Sequence, residues 1–256
     1  YKRATSPAIS LLAKESFIFD KAFTVATNSG PSHATMLTGL YPAQHGLVDN
    51  GQRIQEDVPT LAETLFQKGY DTAGFVGYHP LGKESALDKG FQHFEFHPVS
   101  SHGHDEKSKE EDLKGFVAVS DWLESRTKVP EKPPFFVWLH VQNIHESYDP
   151  HPPYNTMFGK ISAPQMLEGY KEEFDIRCAR DLDKVWRDGI LPSHFKDEAT
   201  ALYDGEIRLV DDQLGKIFKI LKANKLYEDT VIVIVSDHGE VLFELHENEF
   251  YRKGPG

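Results

Sequence analysis

The sequence predicts an α/β fold, an open and mostly parallel central sheet with helices on both faces. Three observations lead there. Helix-like and strand-like segments alternate along the chain. The run 231–235 (VIVIV) has the composition of a strand buried on both faces. Three polar clusters, at 28–33, 143–145 and 236–240, fall at or just beyond strand ends, although they lie far apart in sequence. Open parallel sheets bind ligands beyond the carboxyl ends of their strands.

The elements follow in order. A short helix is expected near Pro7–Ala13, then an extended stretch from Phe23 to Ala26. Pro31 suits the first turn of a helix running through Met36 and Leu37 to about Leu40. Residues 58–68 set Leu61, Leu65 and Phe66 on one helical face, and Gly69 closes that helix. Residues 70–77 read as a short strand. Residues 109–126 read as a helix that buries Leu113, Phe116, Val117, Val119, Trp122 and Leu123. Pro130, Pro133 and Pro134 end it, and 135–141 (FFVWLHV) reads as a buried strand. A long helix over about 196–224 carries Leu202, Ile207, Leu209, Val210, Leu214, Ile217, Phe218 and Leu221 at helical spacing. Residues 142–195, rich in Pro, His and Tyr, read as a loop-rich excursion over the site rather than a second domain.

Composition narrows the function classes. The 256 residues are 39% hydrophobic and 27% charged, a globular balance that excludes a disordered chain. The formal net charge of −12 makes nucleic acids and anionic membrane surfaces poor partners. A small anionic substrate would need local cations to offset that field. The single cysteine, Cys178, excludes intramolecular disulfides and cysteine-based zinc clusters. No segment approaches the ~20 apolar residues that span a bilayer. No signal peptide is visible, and the compartment is not legible.

Chemistry gathers at three places. Ser29 is expected at a helix N-terminus, where free amides and the helix dipole favour a bound anion and a more acidic attacking oxygen. A plain N-cap at Asn28 or Ser29 is the commoner meaning of an isolated residue there. Asp237-His238 follows the VIVIV run and offers oxygen and nitrogen donors suited to a divalent metal at a hydrolytic site. A capping aspartate beside a solvated histidine is the alternative. His145 follows a buried strand and could protonate a leaving group or bind a substrate oxygen, or simply bond a loop carbonyl. A fourth group, His93, His97, His102 and His104, lies in a polar Gly/Ser-containing stretch and reads as solvated loop rather than metal tract.

Together these residues carry a pattern. The segment from Ser29 through Pro31, Ser32, His33, Thr38 and Gly39, continued by 40–46 (LYPAQHG), resembles the first signature of the sulfatase family, within the alkaline phosphatase-like superfamily. The stretch from 203–212 (YDGEIRLVDD) to 236–240 (SDHGE) is similar to that family's last helix, strand and metal motif. The resemblance implies an alkaline phosphatase-like catalytic domain and a metal-dependent hydrolase of sulfate esters. Ser29 is then the nucleophile position, touches the metal, and is a candidate for oxidation to formylglycine. Asp237 and His238 are metal ligands, for calcium or another divalent ion. His145 and Lys253 bind the anionic group, with His246 in a related role. His33 stands where the family has arginine and is a further substrate-binding candidate.

The Ser-x-Pro-Ser-His run is also similar to the Thr-x-Pro-Asn-His run of nucleotide pyrophosphatase/phosphodiesterases. That likeness implies the alternative of a phosphodiesterase or phosphonate hydrolase using unmodified Ser29, with manganese or zinc. A non-catalytic anion-binding homologue is the third reading. Residues 77–80 (GYHP) replace the family's Gly-Lys-Trp-His segment. The family's paired aspartates come from a first strand expected ahead of residue 1, and further strands are expected beyond 256. The chain then reads as a partial catalytic domain over 1–256.

Overall fold

The computed structural model describes residues 1–98, 110–111, 113–126, 132–145, 148–160, 194–242 and 250–253, the last four and 241–242 by their backbone. Two compact units emerge. One joins Tyr1–Ile18, Asn143–Gly215 and Gly239–Gly254; the other joins Phe19–Gln142, Lys216–His238 and Pro255–Gly256.

The second unit holds a parallel sheet. Strands β1 (Asp71–Val76), β2 (His93–Phe96) and β3 (Phe135–Leu139) lie in the order β2-β1-β3. Ala73 faces His93 across one ladder and Val137 across the other. Alternation then sends Val76, Phe94, Phe136 and Trp138 to one face and Ala73, Phe75, Phe135 and Leu139 to the other.

Helices cover both faces, as the sequence predicts. On the first face, helix α2 (Ser29–Thr38) contributes Ala34 and Leu37 to a core shared with Leu47, Ile54, Val58, Val76, Leu81 and Leu87. The one-turn α3 (Pro42–His45) follows α2. On the other face lies α5 (Lys114–Arg126), which buries Phe116, Val119 and Leu123. Its Trp122 meets Phe135 edge-on, and its Arg126 guanidinium lies over both rings while pairing with Asp71.

Helix α4 (Leu61–Gln67) starts on a reciprocal cap. Thr60 Oγ1 accepts from Glu63 N at 3.1 Å, and Thr60 N donates to Glu63 Oε2 at 2.9 Å. The same hydroxyl donates to the Lys89 carbonyl at 2.8 Å, which ties the helix to the approach to β2. Thr60→Ala loses both bonds in a buried site, so denaturant unfolding of the full-length protein is expected to show a loss of about 1–2 kcal/mol.

In the first unit, α1 (Pro7–Ala13) is held by the long helix α6 (Phe195–Ala223). The amides of Ala8 and Ile9 donate to the two carboxylate oxygens of Asp211 at 2.8 Å each. A buried carboxylate thus satisfies free donors at a helix start. Asp204 is likewise buried and accepts from Tyr1 and Arg3. These contacts explain the acidic residues in 203–212. A short antiparallel ladder, β4 (Glu240–Leu242) with β5 (Phe250–Lys253), pairs Glu240 with Lys253. No described helix is long and apolar enough to cross a membrane.

Three expectations are corrected. Val117, expected on the buried face of the 109–126 helix, is 55% exposed. Residues 231–235 form no strand and take no ladder partner among the described residues, and Val231 and Val233 are 90% and 75% exposed. Apolarity marks a segment for burial, but a strand also needs a hydrogen-bonded neighbour. His93 lies on β2 rather than in loop, and Glu95 bonds both His93 and His97 at 2.5 and 2.6 Å. The period-2 spacing of these residues was the available signal for a strand. His102 and His104, and most of 142–195, lie outside the described residues.

Candidate active site

Residue 29 opens α2, as the sequence predicts, and its side chain is buried. Asn28 is the N-cap residue but makes no side-chain cap bond; its amide donates instead to Asp49 at 2.8 Å. The plain capping alternative therefore fails at this helix start. The Gly30 amide donates to Asn50 Oδ1 at 2.8 Å. A Cβ at Gly30 would lie 2.9 Å from that same oxygen, so glycine lets the loop approach the helix end.

Asp237 is brought to Ser29 from 208 positions away in sequence. The Ser29 side chain lies close enough to the Asp237 carboxylate to help hold its pKa down. Ser32, one turn along α2, donates to the Asp237 backbone carbonyl at 2.6 Å and is bonded by Thr24 at 3.0 Å. One helix face thus holds the backbone of Asp237 through Ser32 and borders its side chain with Ser29. Asp237 Oδ1 accepts from the His238 amide at 3.0 Å. Oδ2 faces His238 Nε2 at 3.4 Å and His33 Nε2 at 3.7 Å.

The environment keeps this carboxylate ionised. Burial pushes Asp237 upward, but the facing His33 and His238 imidazoles, the Ser29 hydroxyl and His140 outweigh it and hold its pKa below the ordinary value. His33 moves the other way. Burial drives its pKa down to about 4, against the pull of Asp237, so at neutral pH a carboxylate faces a neutral imidazole. The His33 ring lies against Trp138 and edge-on to His140, with centroids 5.7 and 5.0 Å away. Neither of its ring nitrogens has a hydrogen-bond partner among the described residues.

Sequence reasoning missed several neighbours. Tyr78, just past β1, feels the Asp237 charge; burial first and that charge second raise its pKa. Asn50 reaches the Tyr78 hydroxyl at 3.5 Å. His140, just past β3, accepts from Gly77 N at 3.4 Å. Tyr78 and His140 are supplied by segments following the sheet's carboxyl ends, a placement the predicted topology could have flagged, whereas Asn50 comes from the loop between α3 and α4. His145 sits half-buried in a turn after β3, within the other compact unit. Lys253 ends β5 opposite Glu240, and His246 lies outside the described residues.

His45 braces the start of α2. It is fully buried, with Nδ1 accepting from Leu47 N and Nε2 bonding Thr35, each at 3.2 Å. Burial lowers its pKa, partly offset by a bond to the Pro31 carbonyl. The unfolded chain therefore binds this proton more readily. Stability should be steady above about pH 6.5 and fall as the pH drops below it. Denaturant midpoints of His45→Gln should show a shallower fall over that window than those of the unaltered protein.

A model of the Sulfatase family matches residues 1–256. The chain belongs to the Sulfatase family. Among curated relatives, it is 25% identical to the multifunctional alkaline phosphatase superfamily protein PehA of Trinickia caryophylli, over 94% of this chain and 58% of that protein. It is 23% identical to an arylsulfatase of Clostridium perfringens, over 97% of this chain and 60% of that one. The chain thus spans about six-tenths of the length of these relatives. Its fold matches that of a phosphonate monoester hydrolase of Agrobacterium radiobacter with a TM-score of 0.71 at 20% identity, covering 99% of this chain and 61% of that one. This Sulfatase-family chain therefore has the alkaline phosphatase-like α/β fold that its sequence predicts.

Among its described residues, no group of three or more His, Cys, Asp or Glu side chains could hold a metal ion. Asp237 nevertheless suits a divalent cation. It is ionised, held through Oδ1, and turns Oδ2 towards imidazole nitrogens. His238 Nε2 and the oxygen of residue 29 would complete the local donor set.

Proposed function

We propose that the full-length protein is a metal-dependent hydrolase of sulfate esters that attacks through the side chain of residue 29. The observation that carries this reading is the meeting of α2 with Asp237: Ser32 bonds its backbone carbonyl, and the Ser29 hydroxyl at the helix start borders its carboxylate. A divalent ion held by Asp237 and His238 would neutralise anionic charge on the substrate. Burial fixes the Ser29 side chain at the amino end of α2, where the dipole favours the ester's anion and an ionising hydroxyl. Ser32 holds the Asp237 backbone in place through the reaction.

In the chemical step, the oxygen on residue 29 gives up its proton to solvent and bonds to sulfur while the ester oxygen–sulfur bond breaks, and the sulfated side chain then releases sulfate, by attack of water on the serine form or by the diol's second hydroxyl re-forming the aldehyde. The leaving alcohol takes a proton from His145, and Lys253 and His246 hold the anionic group. As formylglycine, residue 29 attacks through its hydrated diol.

A second reading is hydrolysis of phosphonate or phosphodiesters by unmodified Ser29. Two observations favour it: His33 in place of arginine at the first signature, and the fold match to a phosphonate monoester hydrolase. Mass spectrometry of the Ser29 peptide, with turnover of an aryl sulfate and an aryl phosphonate ester, tests both. Loss of a pair of hydrogens and faster sulfate turnover is the expected result. An unmodified serine with faster phosphonate turnover would replace it, and turnover of neither would overturn both readings.

A further inference from the structure

We propose that the cavity at the amino ends of the parallel strands is a second, non-catalytic binding site that takes one sugar ring bearing a carboxylate or sulfate group. None of its residues belongs to the candidate active site, so it stands independently of the hydrolase reading.

The cavity lies within the unit that holds the sheet and has a volume of about 260 Å³. Its walls come from the starts of β1 and β2, the approach to β3 and the last turn of α5. Tyr78 and His140 leave the opposite ends of β1 and β3. A six-residue strand is about 20 Å long, so the length of the sheet separates the two places.

The base of the cavity is tied down. Arg126 is 6% exposed, and its guanidinium bonds both the Asp71 carboxylate and the Pro133 carbonyl. The same group lies over the Trp122 ring at 4.9 Å and the Phe135 ring at 5.2 Å. These contacts fix the end of α5 against the starts of two strands, so the site is formed before a ligand arrives.

The other lining groups keep bonding capacity. Arg126 takes Oδ2 of Asp71, which leaves Oδ1 as an acceptor. Ser125 Oγ donates to the Trp122 carbonyl at 2.7 Å and keeps its lone pairs. Gln92 accepts through Oε1 from the Thr72 amide at 3.4 Å, which leaves its amide hydrogens to donate. His93 is already engaged by Glu95 at 2.5 Å. Lys132 is exposed and takes no ion pair among the described residues. Arg126 offsets the charge of Asp71, so Lys132 leaves the lining cationic in a chain of net charge −12.

This set selects its ligand. Donors and acceptors mixed around an indole suit the hydroxyls of a ring whose C–H groups pack on the aromatic surface. The unpaired ammonium adds a preference for an anionic group on that ring. The volume falls just under the roughly 300–1,000 Å³ of drug-sized sites, which favours one ring over a nucleotide-sized ligand.

Glucuronate is the probe, because it carries the charge on a sugar ring without an ester bond to hydrolyse. Ligand-observed NMR titration of the full-length protein is expected to give a Kd on the order of 1 mM, with glucose bound at least about fivefold more weakly. Lys132→Gln should abolish that preference, and Gln92→Ala should weaken both sugars. Each variant should keep the melting temperature and the aryl sulfate turnover of the unaltered protein. Crystals soaked in glucuronate should show the ring beside Trp122. Equal binding of glucose and glucuronate, indifference to either substitution, or sugar density only near residue 29 would overturn the assignment.

Discussion

Asp237→Asn is expected to lower kcat/KM of the full-length protein towards an aryl sulfate by about a thousandfold or more, with little change in folding. That factor corresponds to about 4 kcal/mol of lost transition-state stabilisation. The substitution keeps the shape of the side chain and its oxygen towards the His238 amide, and Ser32 still holds the backbone carbonyl. It removes the charge that the metal and the Ser29 hydroxyl both need. Initial-rate kinetics over a substrate series, paired with a thermal melt, separate the chemical effect from misfolding. A loss smaller than about tenfold would mean that Asp237 is not at the reacting centre.

Gly90→Ala should be the most damaging of the small substitutions. Gly90 has φ +85°, where a Cβ is strained. It also lies against the opening turn of α4. A methyl group there would overlap the backbone of Glu63 and stand 2.6 Å from the Ala62 carbonyl carbon. Neither neighbour can yield without moving the helix, and Gly90 is itself fixed by its carbonyl accepting from Thr72 at 2.6 Å. The expected destabilisation is about 4 kcal/mol or more. Gly51→Ala is the control. Its φ is +82°, but nothing lies within 4 Å, so backbone strain alone should cost about 1 kcal/mol. Denaturant midpoints of the two variants should differ clearly, and equal midpoints would refute the close approach at Gly90.

Most of the fold was legible because helices and buried strands write their periods locally. The long helix, predicted at 196–224, spans Phe195–Ala223, and the strand predicted at 70–77 spans Asp71–Val76. The VIVIV segment shows the limit. Its apolarity was read correctly, but pairing depends on a neighbouring strand, and no property of the five residues reveals whether one is present. The site divides in the same way. Ser29 and Asp237 could be singled out by residue type and motif, and the fold brings their side chains close together. Ser32, Asn50, Tyr78 and His140 could not, since each matters only through where the first turn of α2, the loop between α3 and α4, and the segments past β1 and β3 place it. The orphaned state of His33 is likewise a property of its surroundings, invisible in the string of letters.

The most direct test is an anomalous difference map from crystals of the full-length protein soaked in manganese. The account predicts a single strong peak within coordinating distance of Asp237 Oδ2, His238 Nε2 and the oxygen of residue 29. A well-ordered map with no peak there, or with the ion held elsewhere and residue 29 remote from it, would contradict it.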